Sequence, residues 1–234
     1  MIQPSHSRQG DINQIVNWLS NAGVRGASRV EHRVAEILCE PHHAADLVYY
    51  IQEGQVRVHH IGRDNTERFS AILGPGDWVG MAGLAARPIY CCRARVFAKS
   101  IVWHIPATAL HDALAKTPKI AACVVTQLAE RLLESFEAAS RLVFHGTDRR
   151  LVQTLIDFSS SAAAVTDDDG VVLQMTHNEL AQAVGAARET VSLVLMDLRE
   201  RNLIRTARNW LAFNPQVLKR FAELQGSGGT PIQP

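Results

Sequence analysis

Short runs of apolar residues alternate with turn residues through the middle of the N-terminal half, and this pattern predicts β-structure. Between about residues 30 and 106 the runs are rich in β-branched and aromatic residues, and Gly, Pro, Asn and Asp cluster between them. The expected strands are LVYYI, VRVHHI, RFSAIL and RVFAKSIVWHI, with expected turns at EGQ, GRDN and GPGD. We therefore expect an antiparallel β-barrel or jelly roll from this segment.

A short amphipathic helix is expected before these strands. Asp11 is the predicted N-cap, and Asn21 to Gly23 are predicted to end the helix. The apolar positions of this helix lie on one side and are Ile12, Ile15, Val16 and Leu19.

A long helix is predicted after the strands. Thr117 followed by Pro118 is typical of a helix start, because proline has no N–H to leave unpaired at the first helical position. A helix from Pro118 to Val143 would extend about 39 Å, which is too long for one small domain to cover. Its apolar seam steps alternately by four and three residues, as in a two-stranded coiled coil, so we expect a homodimer; packing within one chain is the alternative. The seam comprises Ala121, Val125, Leu128, Leu132, Ser135, Ala139 and Leu142.

The chain is expected to break at residues 145–148 and to start a second domain there. RRLVQTLIDF predicts a helix, and residues 159–170 are expected to form a loop. The acidic run 167–169 within it is interpreted as a solvated turn, since its spacing does not suit a calcium site. The tail from Gln225 to Pro234 is Gly/Pro-rich and polar, so we expect it to be unstructured. The apolar face of the predicted helix carries Leu151, Leu155 and Phe158.

Two short helices joined by a glycine follow the predicted loop. Thr176 and Glu179 form a capping-box pattern that opens the first helix, which is expected to stop at Gly185. The second helix is expected from about Ala187 to Arg201. A small residue, a glycine and a branched residue in this order predict a helix-turn-helix. The residues predicted to be buried between the helices are Leu180, Ala181, Val184, Val191, Val194 and Leu198.

A predicted hairpin follows the helix pair, with Thr206 to Asn209 in its turn. Residues 176–220 contain seven Arg/Lys against four Asp/Glu, a local positive excess in a chain of net charge +1. This excess favours a DNA-binding surface, with hairpin arginines contacting phosphates. The alternative is a winged helix that binds protein. The residues predicted to face DNA are Thr176, His177, Arg188, Glu189, Thr190, Ser192, Leu193, Arg199, Arg205 and Arg208.

Composition narrows the function classes. The length of 234 residues favours two domains, and 47% apolar with 20% charged residues is an ordinary globular balance. No apolar run approaches a membrane span and residues 1–11 are polar, so we expect a cytoplasmic protein with no membrane partner. G-x-S-x-G, P-loop and H-E-x-x-H motifs are absent, which disfavours an enzyme. The four cysteines are expected to be reduced, namely Cys39, Cys91, Cys92 and Cys123.

Two segments carry a resemblance to a known family. MTHNELAQAVGAARETVSLVLMDLRERNLI resembles the DNA-binding signature of the Crp/Fnr regulators, and LVYYIQEGQVRVHHI with GPGDWVG resembles their nucleotide-binding-like barrel. The match covers about Ala27 to Phe213. It implies an α+β fold with a β-barrel sensor at 1–116, a dimerisation helix at 117–145, a winged helix-turn-helix at 146–225 and a disordered tail at 226–234.

The resemblance also implies a function. Members are homodimers that bind a pseudo-palindromic operator and contact RNA polymerase, usually as activators, under control of a small signal. Arg188 and Glu189 resemble the family's readers of a G·C pair, whereas Leu193 stands where the family usually has a third reader, an arginine.

The sensor departs from the cyclic-nucleotide-binding members at their ligand positions. Where these members carry Gly-Glu, Arg-Ser and Thr-Ser, this chain has Gly80-Met81, Cys92-Arg93 and Ser135-Phe136. A methionine cannot accept the ribose hydrogen bond, and a phenylalanine would fill the space of the base, so we expect no binding of cyclic AMP. A one-residue slip would restore only Arg93, as a phosphate ligand.

Other signals are left open by the sequence. An iron–sulfur cluster is disfavoured because Cys39 is the first cysteine. Redox chemistry at Cys91-Cys92 is an alternative, although adjacent cysteines form a strained disulfide. An unrecognised ligand in an apolar pocket, or no ligand, is equally open, and no metal site is predicted. Haem remains an alternative because several residues of suitable type lie near the predicted barrel, namely His42, His43, His59, His60, Cys91 and Cys92.

Overall fold

The computed structural model describes residues 6–21, 23–62, 66–160, 164–167, 170–207 and 209–226. The chain divides into two compact units between Ser135 and Phe136, inside the long helix. We call them the N-terminal unit and the C-terminal unit.

The first helix, α1 (His6–Ser20), begins earlier than the sequence predicted. Asp11 lies inside it, so its prediction as N-cap is wrong. Residues 6–10 contain no proline, and nothing in their covalent structure stops the helix from extending by more than a turn. The apolar side is as expected, since Ile12, Ile15 and Leu19 are buried.

The described residues after α1 form a six-stranded antiparallel sheet. The strands are β1 (Ser28–His32), β2 (Ile37–Cys39), β3 (Leu47–Ile61), β4 (Glu67–Leu73), β5 (Trp78–Val79) and β6 (Arg93–Pro106). Along the main path they are ordered β1-β6-β3-β4, while β2 pairs with β6 and β5 pairs with β3. This open path is consistent with a jelly roll but is not a closed barrel. A short 3-10 helix, Met81–Leu84, lies between β5 and β6.

The predicted turn at EGQ is wrong, because β3 is one continuous strand through Glu53, Gly54 and Gln55. Its pairing with β6 shifts register at this point, and Gly54 has a positive φ of 93°. A glycine with positive φ occurs both in turns between strands and in β-bulges within a strand, so the sequence alone did not distinguish the two. The GPGD turn is confirmed, since the Asp77 N–H donates to the Gly74 carbonyl at 3.0 Å.

Both faces are buried at the start of β3, which explains the apolar run from Leu47 to Ile51. Val48 and Tyr50 pack against Trp103 and residues of the helices, whereas Tyr49 and its neighbours on the same face pack in a second core formed by residues of the other strands. A two-residue alternation therefore does not separate an inner from an outer face here. The result is a core on each side of the β3–β6 ladder.

Two helices complete the N-terminal unit and lead out of it. α2 (Ala107–Lys116) packs on the core, and α3 (Pro118–Phe144) begins at the predicted residue. Near the start of α3, Ile120 and Val124 are buried against the core.

The described part of the C-terminal unit contains four further helices and a four-stranded antiparallel sheet. The elements are α4 (Thr147–Ser159), β7 (Ala164–Asp167), β8 (Gly170–Leu173), α5 (His177–Val184), α6 (Arg188–Glu200), β9 (Ile204–Ala207), β10 (Trp210–Phe213) and α7 (Pro215–Gly226). The strands of the sheet are ordered β7-β8-β10-β9. Leu151 and Leu155 of α4 are buried as predicted, while Phe158 is half-buried.

Three sequence predictions for this unit are corrected. The loop expected at 159–170 contains strand β7, which pairs with β8, because its Ala-Val-Thr run contributes a β-branched edge to the sheet. The turn expected from Thr206 is shorter, since Thr206 is paired with Leu211. Helix α7 extends to Gly226, so part of the expected tail is helical. Residues 168–169, Arg208 and 227–234 lie outside the described residues.

Candidate nucleic-acid interface and sensor site

A complete capping box fixes the start of α5. The Thr176 hydroxyl accepts from the Glu179 N–H at 3.1 Å, and Glu179 Oε2 accepts from the Thr176 N–H at 2.8 Å. Two of the backbone N–H groups that a helix start leaves unpaired are thereby satisfied. The prediction of a capping box is confirmed, and α5 begins at His177.

The turn between α5 and α6 is built on Gly185, whose φ of 68° lies in the left-handed region, as predicted. Arg150 of α4 braces this turn, a role that the sequence analysis missed. Its guanidinium donates to the Val184 carbonyl at 3.1 Å and to the His145 carbonyl at 2.8 Å. Arg150 therefore ties the end of α5 to the end of α3, and a contact between such distant positions leaves no local pattern.

Helix α6 buries one side and exposes the other. Val191, Val194 and Leu198 are buried as predicted. The opposite side, from the N-terminal turn onward, is exposed and chemically mixed: two charged residues, one hydroxyl and one leucine stand on it, with an arginine further along. These are Arg188, Glu189, Thr190, Leu193 and Arg199.

Ser192 differs from the prediction, because it is half-buried instead of facing solvent. Its Oγ lies 3.0 Å from Nδ1 of His177, the first residue of α5. This bond joins the N-terminal ends of the two helices. His177 and Ser192 therefore hold the geometry of the exposed face.

The hairpin formed by β9 and β10 follows α6. Arg205 on β9 is exposed and lies opposite Ala212. Asn209 adopts a positive φ of 68°, which suits a tight turn between the strands. The predicted partner arginine, Arg208, lies outside the described residues.

In the N-terminal unit, Arg93 is held by two carboxylates. Its Nε donates to Glu40 Oε2 at 2.8 Å, and Nη1 donates to Glu67 Oε2 at 3.1 Å. These carboxylates raise the pKa of Arg93 above its ordinary value. The one candidate phosphate ligand of the sensor is thus already neutralised within the chain.

The other residues predicted for the effector pocket are not gathered around Arg93. Met81 lines a cavity of about 50 Å³ that is also bounded by Asp77, Leu128 and Arg131. The Ser135 hydroxyl donates to the carbonyl of Arg131 at 2.9 Å, within its own helix. Phe136 is 63% exposed. Cys92 borders Arg93 at the start of β6 and is half-buried.

An ion pair that the sequence did not reveal anchors α3 to the sheet. Arg131 Nη2 donates to Oδ1 of the buried Asp77 at 2.8 Å, and Asp77 Oδ2 accepts from the Gly74 N–H at 2.8 Å. The GPGD turn hinted at Asp77, but its helical partner lies 54 positions away.

Two histidines make contact in the same unit. Nε2 of His32 lies 2.8 Å from Nε2 of His104, and Nδ1 of His32 lies 2.6 Å from Glu36 Oε2. Burial, together with the nearby His32, lowers the pKa of His104. Among the described residues, no cluster of three or more His, Cys, Asp or Glu is arranged to hold a metal ion.

The predicted seam of α3 is uncovered in the single chain. Val125 is 64% exposed and Leu132 is 55% exposed, on the side of α3 away from Ile120 and Val124. Leu128, Leu142 and the small seam residue Ala139 are exposed as well. An uncovered apolar stripe of this length is typical of an association surface.

No described helix combines the length and the apolar character that crossing a membrane requires.

Comparison with known proteins agrees with both halves of this architecture. Residues 29–117 match the family described as cyclic nucleotide-binding domain, and residues 149–221 match the Crp-like helix-turn-helix domain. The chain is 30% identical over 163 residues to the cAMP-activated global transcriptional regulator CRP of Salmonella typhimurium, covering 68% of this chain and 77% of that protein. It is also 30% identical over 170 residues to the CRP-like protein Clp of Xanthomonas oryzae, covering 70% and 74% of the two chains.

Solved structures give the same result. The c-di-GMP-responsive global regulator CLP of Xanthomonas campestris has a TM-score of 0.71 and 26% identity, over 86% of this chain and 98% of that one. A CRP/FNR-family regulator of Thermus thermophilus shares the fold with a TM-score of 0.69 and 24% identity, over 84% and 98% of the two chains. The chain belongs to the Crp/Fnr family of DNA-binding transcription regulators, a family of regulators and not of enzymes.

Proposed function

We propose that this regulator binds a pseudo-palindromic operator as a homodimer, with α6 in the major groove and with a signal other than cyclic AMP acting on the N-terminal unit. The observation that carries the proposal is the exposed first turn of α6, which presents Arg188 and Glu189 from a capped, glycine-turned helix pair. A recognition helix enters the groove with its N-terminal residues toward the bases.

The two charged residues suit a G·C pair. Arg188 can donate two hydrogen bonds to guanine O6 and N7, and Glu189 can accept from a cytosine amine. Leu193 is exposed one turn later and offers only apolar contact, for instance to a thymine methyl. The half-site should therefore keep a G·C core and differ at the base pair that an arginine at position 193 would reach.

The remaining polar residues suit phosphates. Thr176 and His177 lie at the N-terminal end of α5, where backbone N–H groups and the helix dipole favour an anion. Arg205 on the hairpin and Arg199 on α6 add positive charge, and Arg208 is expected to do the same. Thr190 and Ser192 lie beside the base-reading residues on α6. Phosphate contacts of this kind position a protein without specifying sequence.

Selection of bound sequences from a random pool tests the base contacts. Wild type should select two half-sites about 34 Å apart, centre to centre. Leu193→Arg should change the preferred base at one position per half-site. Glu200→Gln is the matched control: it changes the net charge by the same +1 at the exposed C-terminal end of α6 and should raise affinity without changing the preferred sequence. An unchanged half-site with Leu193→Arg would contradict this placement of α6.

The dimer is proposed to form through the seam of α3. Leu128→Glu with Leu132→Glu should give monomers in sedimentation velocity and weaken operator binding, since each half-site is then bound independently. Glu137→Lys, an exposed charge change on the same helix, should leave the dimer intact. A monomeric wild type at micromolar concentration would disprove the proposal.

Cyclic AMP is not the proposed effector, although the Salmonella relative is described as cAMP-activated. Met81 cannot accept the ribose hydrogen bond, and Arg93 is held by Glu40 and Glu67. A ligand at hundredfold excess over its dissociation constant stabilises a fold by about 2.7 kcal/mol, so binding would raise the melting temperature. Because we expect no binding, millimolar cyclic AMP should leave the melting temperature unchanged. A clear rise would show that the pocket is retained. Cyclic di-GMP, to which the Xanthomonas campestris relative responds, is the comparison ligand.

Activation through contact with RNA polymerase is the expected output of DNA binding. Measuring transcription from a promoter that carries the selected operator tests whether the protein activates or represses. A winged helix that binds protein instead of DNA is not favoured, because Arg188 and Glu189 are exposed on the first turn of α6, the part that a recognition helix turns toward the bases.

A further inference from the structure

Two cysteines far apart in sequence meet where β2 joins β6. Cys39 ends β2 and lies opposite Ala94 in the antiparallel pairing, and its diagonal neighbour Cys92 lies two residues before Ala94, just ahead of β6. The Cys39 thiol donates to the Cys92 carbonyl oxygen at 3.7 Å, which places the two residues in contact. Both are free thiols.

Their surroundings give small molecules access from one side. Cys39 is only 5% exposed, yet it lines a cavity of about 440 Å³ together with Glu40, His43 and Tyr90. Cys92 is half-buried, and its sequence neighbour Cys91 is exposed. A small oxidant can therefore approach Cys39 through the cavity.

The two thiols are chemically unequal. The interaction with the Cys92 side chain lowers the pKa of Cys39 below that of an ordinary thiol, and the same interaction raises the pKa of Cys92. Burial raises the pKa of Cys91. Because the thiolate is the reactive form, Cys39 is the nucleophile of this group and Cys92 is placed to react with it in a second step.

We propose that Cys39 and Cys92 form a hydroperoxide-sensitive dithiol that closes to an intramolecular disulfide within the N-terminal unit. The Cys39 thiolate attacks the peroxide O–O bond, giving a sulfenic acid and releasing hydroxide. The Cys92 sulfur then attacks the Cys39 sulfur, its proton and the displaced OH leave as water, and the S–S bond forms. In total, two thiols and one hydrogen peroxide give one disulfide and two waters.

The local backbone can accommodate this bond. Diagonal neighbours in a sheet lie farther apart than directly opposed ones, so closing the disulfide requires β2 to shift toward Cys92. β2 has only three residues, and its pairing with β6 is irregular between Ile37 and Cys39. The bridge would also sit beside the Glu40–Arg93 ion pair.

Peptide mapping of the full-length protein tests the proposal. The reduced protein is treated with hydrogen peroxide, its free thiols are blocked with N-ethylmaleimide, and trypsin is added without reductant. Cys39 falls in the tryptic peptide 34–57, and Cys91 and Cys92 share the peptide 69–93. The proposal predicts a cross-link between these two peptides that dithiothreitol cleaves. Blocking before peroxide treatment should abolish it.

Three serine variants assign the partners. Cys91→Ser should retain the cross-link, whereas Cys92→Ser and Cys39→Ser should lose it, with circular dichroism confirming that each variant folds. A bridge between adjacent cysteines would leave peptide 69–93 unlinked and two hydrogens lighter, and would overturn the proposal. So would a cross-link that needs Cys91, or thiols that all remain blockable after peroxide in the wild type; the wild-type result holds even if a variant does not fold.

Discussion

The two arginines predicted to bind a ligand, one in each unit, lie in opposite surroundings. In the C-terminal unit, Arg188 projects from the exposed first turn of α6. In the N-terminal unit, Arg93 is held between Glu40 and Glu67 at 2.8 and 3.1 Å. An arginine that is already paired with carboxylates must give up those partners before it can bind a phosphate. The fold of the family is present in both units, whereas in the proposed function only the C-terminal unit keeps the family's ligand contacts.

Two glycines with positive φ give the sharpest contrast in stability. A Cβ on Gly54 would lie 2.5 Å from the Lys99 carbonyl oxygen and 2.6 Å from the Ser100 Cα, both backbone atoms. Gly54→Ala should therefore destabilise the N-terminal unit by about 3 kcal/mol or more. Denaturant unfolding followed by tryptophan fluorescence measures the loss.

Gly185→Ala is the matched change in the C-terminal unit. Its Cβ would meet only Leu142 Cδ2, at 3.1 Å, and this side chain is exposed and able to move. The expected loss is about 1–2 kcal/mol, from the left-handed backbone alone. Equal losses at both positions would show that crowding at Gly54 is relieved by a shift of β6.

Replacing Arg188 or Arg93 with alanine tests whether the two arginines have different roles. Arg188→Ala should weaken operator binding by roughly 1–3 kcal/mol and relax the preference at one base pair. Arg93→Ala should lower the melting temperature, because Glu40 and Glu67 then lose the arginine that they share, while the preferred operator sequence stays the same. Fluorescence anisotropy with wild-type and single-substitution operators measures both. A changed base preference for Arg93→Ala would contradict the division of roles.

The capping box gives a smaller effect. Thr176→Ala removes the hydroxyl that accepts from the Glu179 N–H, and should cost about 0.5–2 kcal/mol of stability in the C-terminal unit. Thr176→Ser keeps the hydroxyl and should stay close to wild type in thermal unfolding. If serine is as destabilising as alanine, the methyl group of Thr176 matters more than its cap.

Local patterns were enough to predict the helix pair. Thr176, Glu179 and Gly185 act on backbone within a few residues of themselves, so their roles are visible in sequence. The turn predicted at Gly54 was wrong because glycine is typical of both turns and β-bulges. Strand β7 was missed because it is only four residues long and its last residue, Asp167, begins an acidic run.

Contacts between distant positions were beyond sequence reasoning. Arg150 donates a hydrogen bond to the carbonyl of Val184, 34 positions away, and Arg131 pairs with Asp77 across 54 positions. Cys92 was paired in sequence with Cys91, but the β2–β6 pairing brings it to Cys39. Sheet register decides such pairs, and a two-residue alternation alone does not fix which strands become neighbours.

The smallest expected effect concerns the paired histidines of the N-terminal unit. Burial and His32 lower the pKa of His104 in the folded chain relative to the unfolded chain. The unfolded chain therefore binds more protons as the pH falls through about 6.5, the ordinary pKa of histidine, and stability decreases on that acid side. At pH 8 both states are neutral at His104, so the effect vanishes. Glu36 is ionised throughout this range, because its hydrogen bond to His32 lowers its pKa.

The variant His104→Gln tests this pH dependence, since glutamine keeps a hydrogen-bonding group near His32 but does not titrate. The melting temperature of the variant, measured by tryptophan fluorescence from pH 8 to 5.5, should fall less steeply with acidity than that of the wild type. Parallel curves for the two proteins would show that the contact between the histidines does not contribute to the pH dependence of folding.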